Sequence, residues 1–373
     1  MKHAPIRSLL FVSAALASLG ASQAFASEIV YSTRPNGGDA IGSPTYAISP
    51  MYTTIDNPAN HVVTPPSVYD GVAELILNRT DGSFRCSGAL LNGGTQILTA
   101  AHCVADGAGG SLNTNTANAT FHLQCGNTTI GVSSIAVNPY WDGNFQKGND
   151  LAILTLTSAA PADADQYNIY RGAGAVGSVT GKAGYGRTGT ATTGDTDPSG
   201  TLHSGQNIYD TTSDAFNSLI PGFGAIAGAD LAYDFDDGTA AHDAFGFFFG
   251  GGLANVDAAL VADALEAMSA PGDSGGPTFC GSEICGVTSY GLTISFGNGS
   301  TSDCHLNIIG GNNQPDSSCG EFGVDTSVSF YQSWIDQVTG HSTTSVPEPA
   351  SGALLLLGAA GTAVLRRKRQ AAR

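Results

Sequence analysis

Short apolar or alternating runs, separated by glycine, asparagine, aspartate or proline, dominate the central part of the chain. They cover residues 73–77, 96–101, 119–124, 130–137, 151–156, 286–290 and 323–330. Runs of this length with turn residues between them are typical of β-strands, whose side chains point alternately to the two faces of a sheet. The pattern therefore predicts an all-β fold, as a barrel or a sandwich.

Helical patterns are few, and two of them are long enough to predict helices. One covers residues 255–268, with Asn255 as its candidate N-cap, and the other covers residues 331–338 near the end of the folded part. A segment rich in glycine, alanine and aspartate, at about residues 188–252, is interpreted as an insertion. The sequence shows no internal repeat.

The first 26 residues have the order of regions found in a signal peptide. Two basic residues precede an apolar run that reaches about Leu19, and Ala24-Phe25-Ala26 then satisfies the small-residue rule of a signal-peptidase site. We therefore expect signal peptidase to leave a mature chain that starts near Ser27. Residues 27–67 lack a clear pattern and are expected to form a leader or propeptide.

The other end of the chain combines three features. A linker at residues 341–349 ends in Val-Pro-Glu-Pro, residues 350–365 form an uncharged apolar run, and residues 366–373 form a basic tail. As a helix the run would span about 24 Å, less than the roughly 30 Å of a bilayer's hydrocarbon core. The basic tail should stay on the cytoplasmic side.

This C-terminal arrangement resembles the PEP-CTERM sorting signal of Gram-negative bacteria. The resemblance implies that a membrane-bound exosortase removes the tail. The helix would then anchor the chain in the inner membrane only transiently, before the protein reaches the cell envelope or the outside of the cell. A plain C-terminal anchor is the alternative interpretation.

Setting both ends aside makes the chain more acidic. Residues 27–345 contain seven Lys and Arg against 30 Asp and Glu, a formal charge of −23, whereas the whole chain has −17. Such a field repels nucleic acid and anionic lipid. We therefore expect no nucleic-acid partner, and contact with a membrane only through the unprocessed tail.

The seven cysteines of an exported chain suggest disulfides. Their spacing favours three local pairs, Cys86–Cys103, Cys280–Cys285 and Cys304–Cys319, and leaves Cys125 over. No pair of cysteines or of cysteine and histidine has zinc-binding spacing, so no structural metal site is expected.

Three local motifs, far apart along the chain, point to one chemistry. "LTAAHCV" places His102 at the end of an apolar strand, "GNDLAILTL" places Asp150 at the start of another, and "PGDSGGP" places Ser274 in a glycine-rich turn. A serine hydroxyl becomes a good nucleophile when a base takes its proton, and a buried carboxylate orients the imidazole that does so. The three motifs, in the order His, Asp, Ser, resemble those of the chymotrypsin/trypsin family of serine endopeptidases.

The resemblance extends beyond these three residues. The stretch from Cys86 to Cys103 resembles the family's disulfide-closed strand pair that holds the histidine. Gly184-Tyr185-Gly186 resembles the opening of the second barrel, and residues 323–335 resemble the last strand and the terminal helix.

The resemblance covers about residues 68–187 and 263–340. It implies two packed six-stranded antiparallel β-barrels, with the catalytic residues between them. The first barrel would span residues 68–175, and the second would span residues 176–340 and contain the insertion. The sequence "GVTSYG" resembles the family's substrate-binding strand, so Ser289, Tyr290 and Gly291 would line the cleft.

The resemblance also assigns roles to the residues around the serine. The backbone N–H groups of Gly272 and Ser274 would form the oxyanion hole. Asp273 would be the activation switch that pairs with a new α-amino group after cleavage of a propeptide. The nearest match to the family's activation sequence is "VYDG" at Val68, which lies too close to Cys86, so the activation site stays open.

Aligning the residues before Ser274 with the family's sequence, without a gap, also predicts the primary specificity pocket. Met268 would lie at its base, with Gly291 and Gly323 as open walls, which favours an apolar or aromatic side chain before the scissile bond. The family's pocket disulfide would need a cysteine where this chain has Ala270. The pocket loop could therefore differ, and Glu266 could reach in instead.

The acidic sequence Tyr-Asp-Phe-Asp-Asp-Gly at residues 233–238 partly resembles a calcium-binding loop. The EF-hand pattern requires glycine at the sixth loop position, whereas Gly238 is fifth from Asp234. A solvated acidic loop is the preferred interpretation, and no metal or other cofactor is expected.

These features predict an exported serine endopeptidase that hydrolyses protein or peptide substrates through an acyl-enzyme. The alternative from another class is a catalytically silent binding or envelope matrix protein with the protease fold. An α/β-hydrolase esterase is disfavoured, because Pro277 follows the Gly-x-Ser-x-Gly match where that fold needs a helix.

Overall fold

The computed structural model describes residues 29–35, 39–40, 52–54, 56–107, 111–250, 265–296, 301–304 and 316–340. The predicted signal peptide, linker, apolar run and basic tail lie outside these residues. The chain divides into a large unit ending at Ser333 and a small unit beginning at Trp334. Within the described residues, no helix has the length and apolar character needed to cross a membrane.

Strands are the predominant regular elements of the described chain. In chain order they are β1 (Ile29–Pro35), β2 (Asp39–Ala40), β3 (Tyr52–Thr54), β4 (Val72–Arg79), β5 (Gly82–Leu90), β6 (Gln96–Thr99), β7 (Thr114–Leu123), β8 (Gly126–Val137), β9 (Ala152–Leu156), β10 (Val179–Gly184), β11 (Thr188–Thr190), β12 (Gly194–Asp197), β13 (His203–Ile208), β14 (Thr211–Thr212), β15 (Asp230–Asp234), β16 (Ala267–Met268), β17 (Pro277–Cys280), β18 (Glu283–Phe296) and β19 (Phe322–Ser327). The helices are α1 (Phe216–Leu219), α2 (Ala244–Phe249) and α3 (Val328–Thr339).

The first half of the fold is a closed barrel of six antiparallel strands. Its strands follow the order β5-β4-β7-β8-β9-β6, and pairing between β5 and β6 closes the ring. Alternating apolar side chains such as Leu75, Leu77 and Phe121 are fully buried inside it. Because each strand presents every second residue to the interior, the alternation in the sequence is enough to build this core.

The second half is a curled half-barrel. Its sheet has the order β13-β10-β17-β18-β19-β15-β14, and β1 adds to β18. A separate sheet has the order β12-β11-β3-β16. The all-β class and the short C-terminal helix are confirmed, with the first half closed and the second half curled.

The structure of this half differs from two predictions made from the sequence. The helix predicted at residues 255–268 lies mostly outside the described residues, and its end is wrong because Ala267–Met268 forms a strand paired with Thr53 and Thr54. The segment at about residues 188–252 supplies β11 to β15 as well as α1 and α2. Part of it therefore belongs to the main sheet, while the domain boundaries stay a prediction.

A buried ion pair ties the strands of the half-barrel together. Lys182 Nζ lies 2.5 Å from Asp325 Oδ2 and 2.7 Å from Thr278 Oγ1, and the Tyr209 hydroxyl donates to the same carboxylate at 2.5 Å. The ammonium also lies 4.3 Å from the centre of the Tyr233 ring. A buried charge is tolerated only when it is paired and hydrogen-bonded, and this network does both.

Candidate active site

His102 lies in a short 3-10 helix, Ala101–Cys103, directly after β6. The predicted disulfide between Cys86 and Cys103 is present and joins this turn to β5. The backbone N–H of His102 donates to Asp150 Oδ1 at 2.8 Å, and its Nδ1 lies 2.7 Å from Asp150 Oδ2. Two contacts to one carboxylate set both the position and the rotation of the imidazole ring.

Asp150 precedes β9 and is fully buried. Besides its contacts with His102, it accepts a hydrogen bond from Ser289 Oγ at 2.6 Å. The turn before it contains Asn149 at φ 65°, whose N–H donates to the Tyr331 hydroxyl at 2.8 Å. The carboxylate is therefore held by three donors, as a buried charge requires.

Ser274 completes the arrangement, because its Oγ lies 2.9 Å from His102 Nε2. The N–H of Ser87 donates to the Ser274 carbonyl at 2.8 Å, and Ser87 Oγ donates to the Gly272 carbonyl at 2.8 Å. Gly275 has φ 77°, and a Cβ there would lie 1.9 Å from Thr99 Oγ1. Only glycine can follow the serine in this turn.

Two backbone N–H groups around Ser274 have no backbone acceptor among the described residues. The N–H groups of Asp273, Gly275 and Gly276 donate to backbone carbonyls at 2.7 to 2.9 Å. In the part of the chain that the structure describes, no acceptor faces the N–H of Gly272 or Ser274. These are the two groups that the resemblance assigns to the oxyanion hole.

Asp273 is buried behind the serine. Its Oδ1 accepts from the N–H of Gly186 at 2.8 Å, and its Oδ2 accepts from the N–H of Ala270 at 3.0 Å. Burial raises the pKa of this carboxyl to about 7, although the two N–H donors and Lys182 oppose the shift. A Cβ at Gly186 would lie 2.5 Å from the Asp273 carboxyl carbon, which explains the glycine after Tyr185.

The predicted pocket residues lie together, but an aromatic ring occupies the space between them. Met268 is fully buried in a cluster with Tyr233. A Cβ at Gly323 would lie 2.1 Å from the Tyr233 ring, so Gly323 makes room for this ring and is not an open wall. Glu266 Oε1 accepts the N–H of Asp236 at 2.7 Å, so this oxygen is engaged by backbone.

Sequence reasoning missed three residues of this region, namely Ser87, Tyr233 and Tyr331. Each acts through a contact with a residue at least 36 positions away along the chain. No local motif signals such a contact, because pairing between distant strands creates it. The other two disulfides, Cys280–Cys285 and Cys304–Cys319, and the free exposed Cys125 are as predicted.

The last residue of β15 and the segment that follows it bring three carboxylates together. Oxygens of Asp234, Asp236 and Asp243 lie within 4.8 Å of one another. Asp234 accepts the N–H of Phe245 at 3.0 Å, and Asp243 accepts the N–H of Gly246 at 2.6 Å. Two of the three therefore cap the start of α2, which accounts for their positions.

Comparisons with known proteins identify two regions of the chain. Residues 69–212 match the family model described as Trypsin, and residues 345–369 match the PEP-CTERM protein-sorting motif. A search of curated proteins found no match. Among solved structures, HL collagenase matches with a TM-score of 0.47 and 19% identity, over 76% of this chain and 99% of that chain.

Proposed function

Because the chain carries a trypsin-family region at residues 69–212 and a PEP-CTERM motif at residues 345–369, we propose that it is an exported serine endopeptidase. The observation that supports this most directly is the unbroken relay from Asp150 through His102 to Ser274. Its two links measure 2.7 Å and 2.9 Å between heavy atoms, which is hydrogen-bond distance, so His102 Nε2 can take the serine proton while Asp150 orients the imidazole ring.

In the proposed mechanism each of the three side chains keeps the same role in acylation and in deacylation. Ser274 Oγ attacks the carbonyl carbon of the scissile peptide while His102 Nε2 takes the hydroxyl proton, and Asp150 stabilises the imidazolium. The Gly272 and Ser274 N–H groups bind the oxyanion. The imidazolium then gives its proton to the leaving amine, which leaves an ester on Ser274. Water hydrolyses this acyl-enzyme by the same steps and restores the serine.

We further infer apolar or aromatic primary specificity. Met268 would form the base of the pocket, and its buried neighbours Tyr209, Tyr233 and Phe235 are aromatic. Together with Gly291, this environment favours a side chain that gains by leaving water. The Tyr233 ring over Gly323 would make the pocket shallower than an open glycine wall allows.

The proposed location follows from the sorting motif. Signal peptidase and exosortase would process the two ends, and the protease would act on proteins or peptides in the cell envelope or outside the cell. A Gram-negative source is part of this proposal, as is transient anchoring by the C-terminal helix. No cofactor is required by the proposed mechanism.

Labelling with a fluorophosphonate probe tests the proposed nucleophile. We expect the probe to add to Ser274 and Ser274→Ala to abolish labelling without changing the circular dichroism spectrum. Ser282→Ala, at an exposed hairpin serine, is the matched control and should label like the parent. Undiminished labelling of Ser274→Ala would contradict the proposal. A folded parent that never labels, with or without its leader, would favour the silent binding protein.

A further inference from the structure

The leader strand β1 occupies one particular edge of the half-barrel. It pairs antiparallel with the second part of β18, with Pro35 opposite Tyr290, Arg34 opposite Gly291 and Ile29 opposite Phe296. Gly291 also pairs with Gly323 of β19. Because a strand has two edges, β1 and β19 must lie on opposite sides of β18. β1 therefore covers the edge that is left open where β17 ends.

This edge begins beside the candidate active site. Ser289 immediately precedes the first paired residue and donates to Asp150. One residue earlier, the Thr288 carbonyl accepts the N–H of Gly275, the neighbour of Ser274. The pairing of the leader strand therefore starts at Tyr290, within two residues of Ser289 and Thr288, which contact Asp150 and the turn of Ser274.

The next leader strand, β2, lies on the other side of the relay. Asp39 pairs with Arg85 of β5, and Ser87, two residues further along β5, donates its N–H to the Ser274 carbonyl at 2.8 Å. From Pro35 to Asp39 the chain takes four steps, which reach about 14 Å at most. The leader is thus fastened to both halves of the fold at points that flank Ser274.

An open strand edge is where an extended peptide binds, because its unpaired N–H and C=O groups accept a further strand. The leader already fills this position, and being part of the same chain it competes at a high effective concentration. Consistent with a covered cleft, Ser274 is 0% and His102 only 7% exposed. A substrate strand would have to displace β1 before it could pair with Gly291.

We propose that leader residues 29–35 and 39–40 are an internal inhibitor that pairs with the β18 and β5 edges flanking Ser274, so that the protease becomes active when the leader is displaced or removed. The inhibition is by backbone pairing and differs from activation through a new α-amino group at Asp273. This inference rests on the proposed function.

The test compares the full-length chain with a variant that lacks residues 29–40, both expressed with the signal peptide. Fluorophosphonate labelling of Ser274 counts active sites, and hydrolysis of fluorescent casein per labelled site measures activity. We expect the deletion to raise this activity at least tenfold. A synthetic peptide of residues 27–40, added to the deletion variant, should inhibit casein hydrolysis competitively.

Two proline variants of the full-length chain provide a matched pair that does not depend on the deletion folding. In an antiparallel ladder only alternate residues donate their N–H to a given partner. Of Ser32→Pro and Thr33→Pro, one therefore removes a hydrogen bond to β18 and should activate, while the other should behave nearly like the parent.

The outcomes separate this inference from the proposed function. Labelled Ser274 with equal casein hydrolysis in every form overturns the inhibitory role and leaves the protease assignment intact. Equal activation by both prolines overturns the ladder pairing. If Ser274 stays unlabelled in every folded form, the proposed function fails, and the inference fails with it.

Discussion

Asp273, the residue before Ser274, has a carboxyl whose protonation differs between the folded and the unfolded chain. Its carboxyl is buried, and two backbone N–H groups, from Gly186 and Ala270, contact its oxygens. Burial raises its pKa to about 7, so the folded chain keeps a proton that the unfolded chain releases near the ordinary value of 3.8. The resemblance gave this residue a role in activation, and that role stays a prediction.

This raised pKa predicts a loss of stability as the pH rises. Between about pH 4 and pH 7 the unfolded state binds fewer protons, so the free energy of unfolding should fall by up to about 4 kcal/mol from this group. Above pH 7 both states are ionised and the loss is complete. Asp273→Asn cannot ionise and should lack this decline, apart from a constant cost of one mispaired N–H.

Urea unfolding at several pH values between 4.5 and 8 measures the effect. The control is Asp142→Asn, at an exposed carboxyl whose pKa is lowered by a hydrogen bond from Lys147. That variant should keep the decline of the parent. Parallel pH profiles for the parent and Asp273→Asn would contradict the assignment.

At the scale of elements, two of the disulfides have different roles. One holds part of the candidate active site, and the other closes a hairpin. Cys86–Cys103 joins β5 to the 3-10 helix of His102 across 17 positions, whereas Cys280–Cys285 joins β17 to β18 across 5. Only the first link holds a member of the relay. Both pairs were predicted correctly because each is local in the sequence.

We expect the double variant Cys86→Ala/Cys103→Ala to lose about 3 kcal/mol of unfolding free energy, and Cys280→Ala/Cys285→Ala about 2 kcal/mol, because the longer closed loop constrains the unfolded chain more. The first should also slow fluorophosphonate labelling strongly at a temperature where both variants are folded. Equal labelling rates in the two double variants would show that the first disulfide does not position His102.

At the scale of the whole molecule, charge opposes the compact state. Residues 27–345 carry a formal charge of −23, with seven basic residues among them. Several of the carboxyls are buried, and burial raises the pKa of Glu321 well above its usual range, with Asp303 and Asp316 close to it adding to the shift. Self-repulsion of this kind weakens as the ionic strength rises.

We therefore expect the protein to become more stable when salt is raised from 10 mM to 150 mM, which shortens the Debye length from about 30 Å to about 8 Å. The gain in unfolding free energy should be on the order of 1 kcal/mol. Sodium chloride and choline chloride should act equally if screening is the cause. A gain with sodium chloride only would point to ion binding instead.

Much of the candidate site could be predicted from the sequence because its chemistry sits in short motifs. His102, Asp150 and Ser274 each stand in a local pattern, and the structure brings them together. By contrast, no local motif could show whether the predicted pocket wall at Gly323 is open or covered by another side chain. Tyr233 reaches it from β15 and stands 90 positions away along the chain, and which side chain lies opposite Gly323 depends on how the two strands are paired.

By itself, the sequence determined which side chains are available for chemistry, the sorting motif at residues 345–369 and the three disulfide pairs. These properties depend on residues close together along the chain. Only the tertiary structure decided the distances between Asp150, His102 and Ser274, the ring that lies against Gly323 and the strand edge with which residues 29–35 pair. Those depend on strand register, which the packing of the whole sheet sets, because a shift of one residue would turn every side chain to the opposite face.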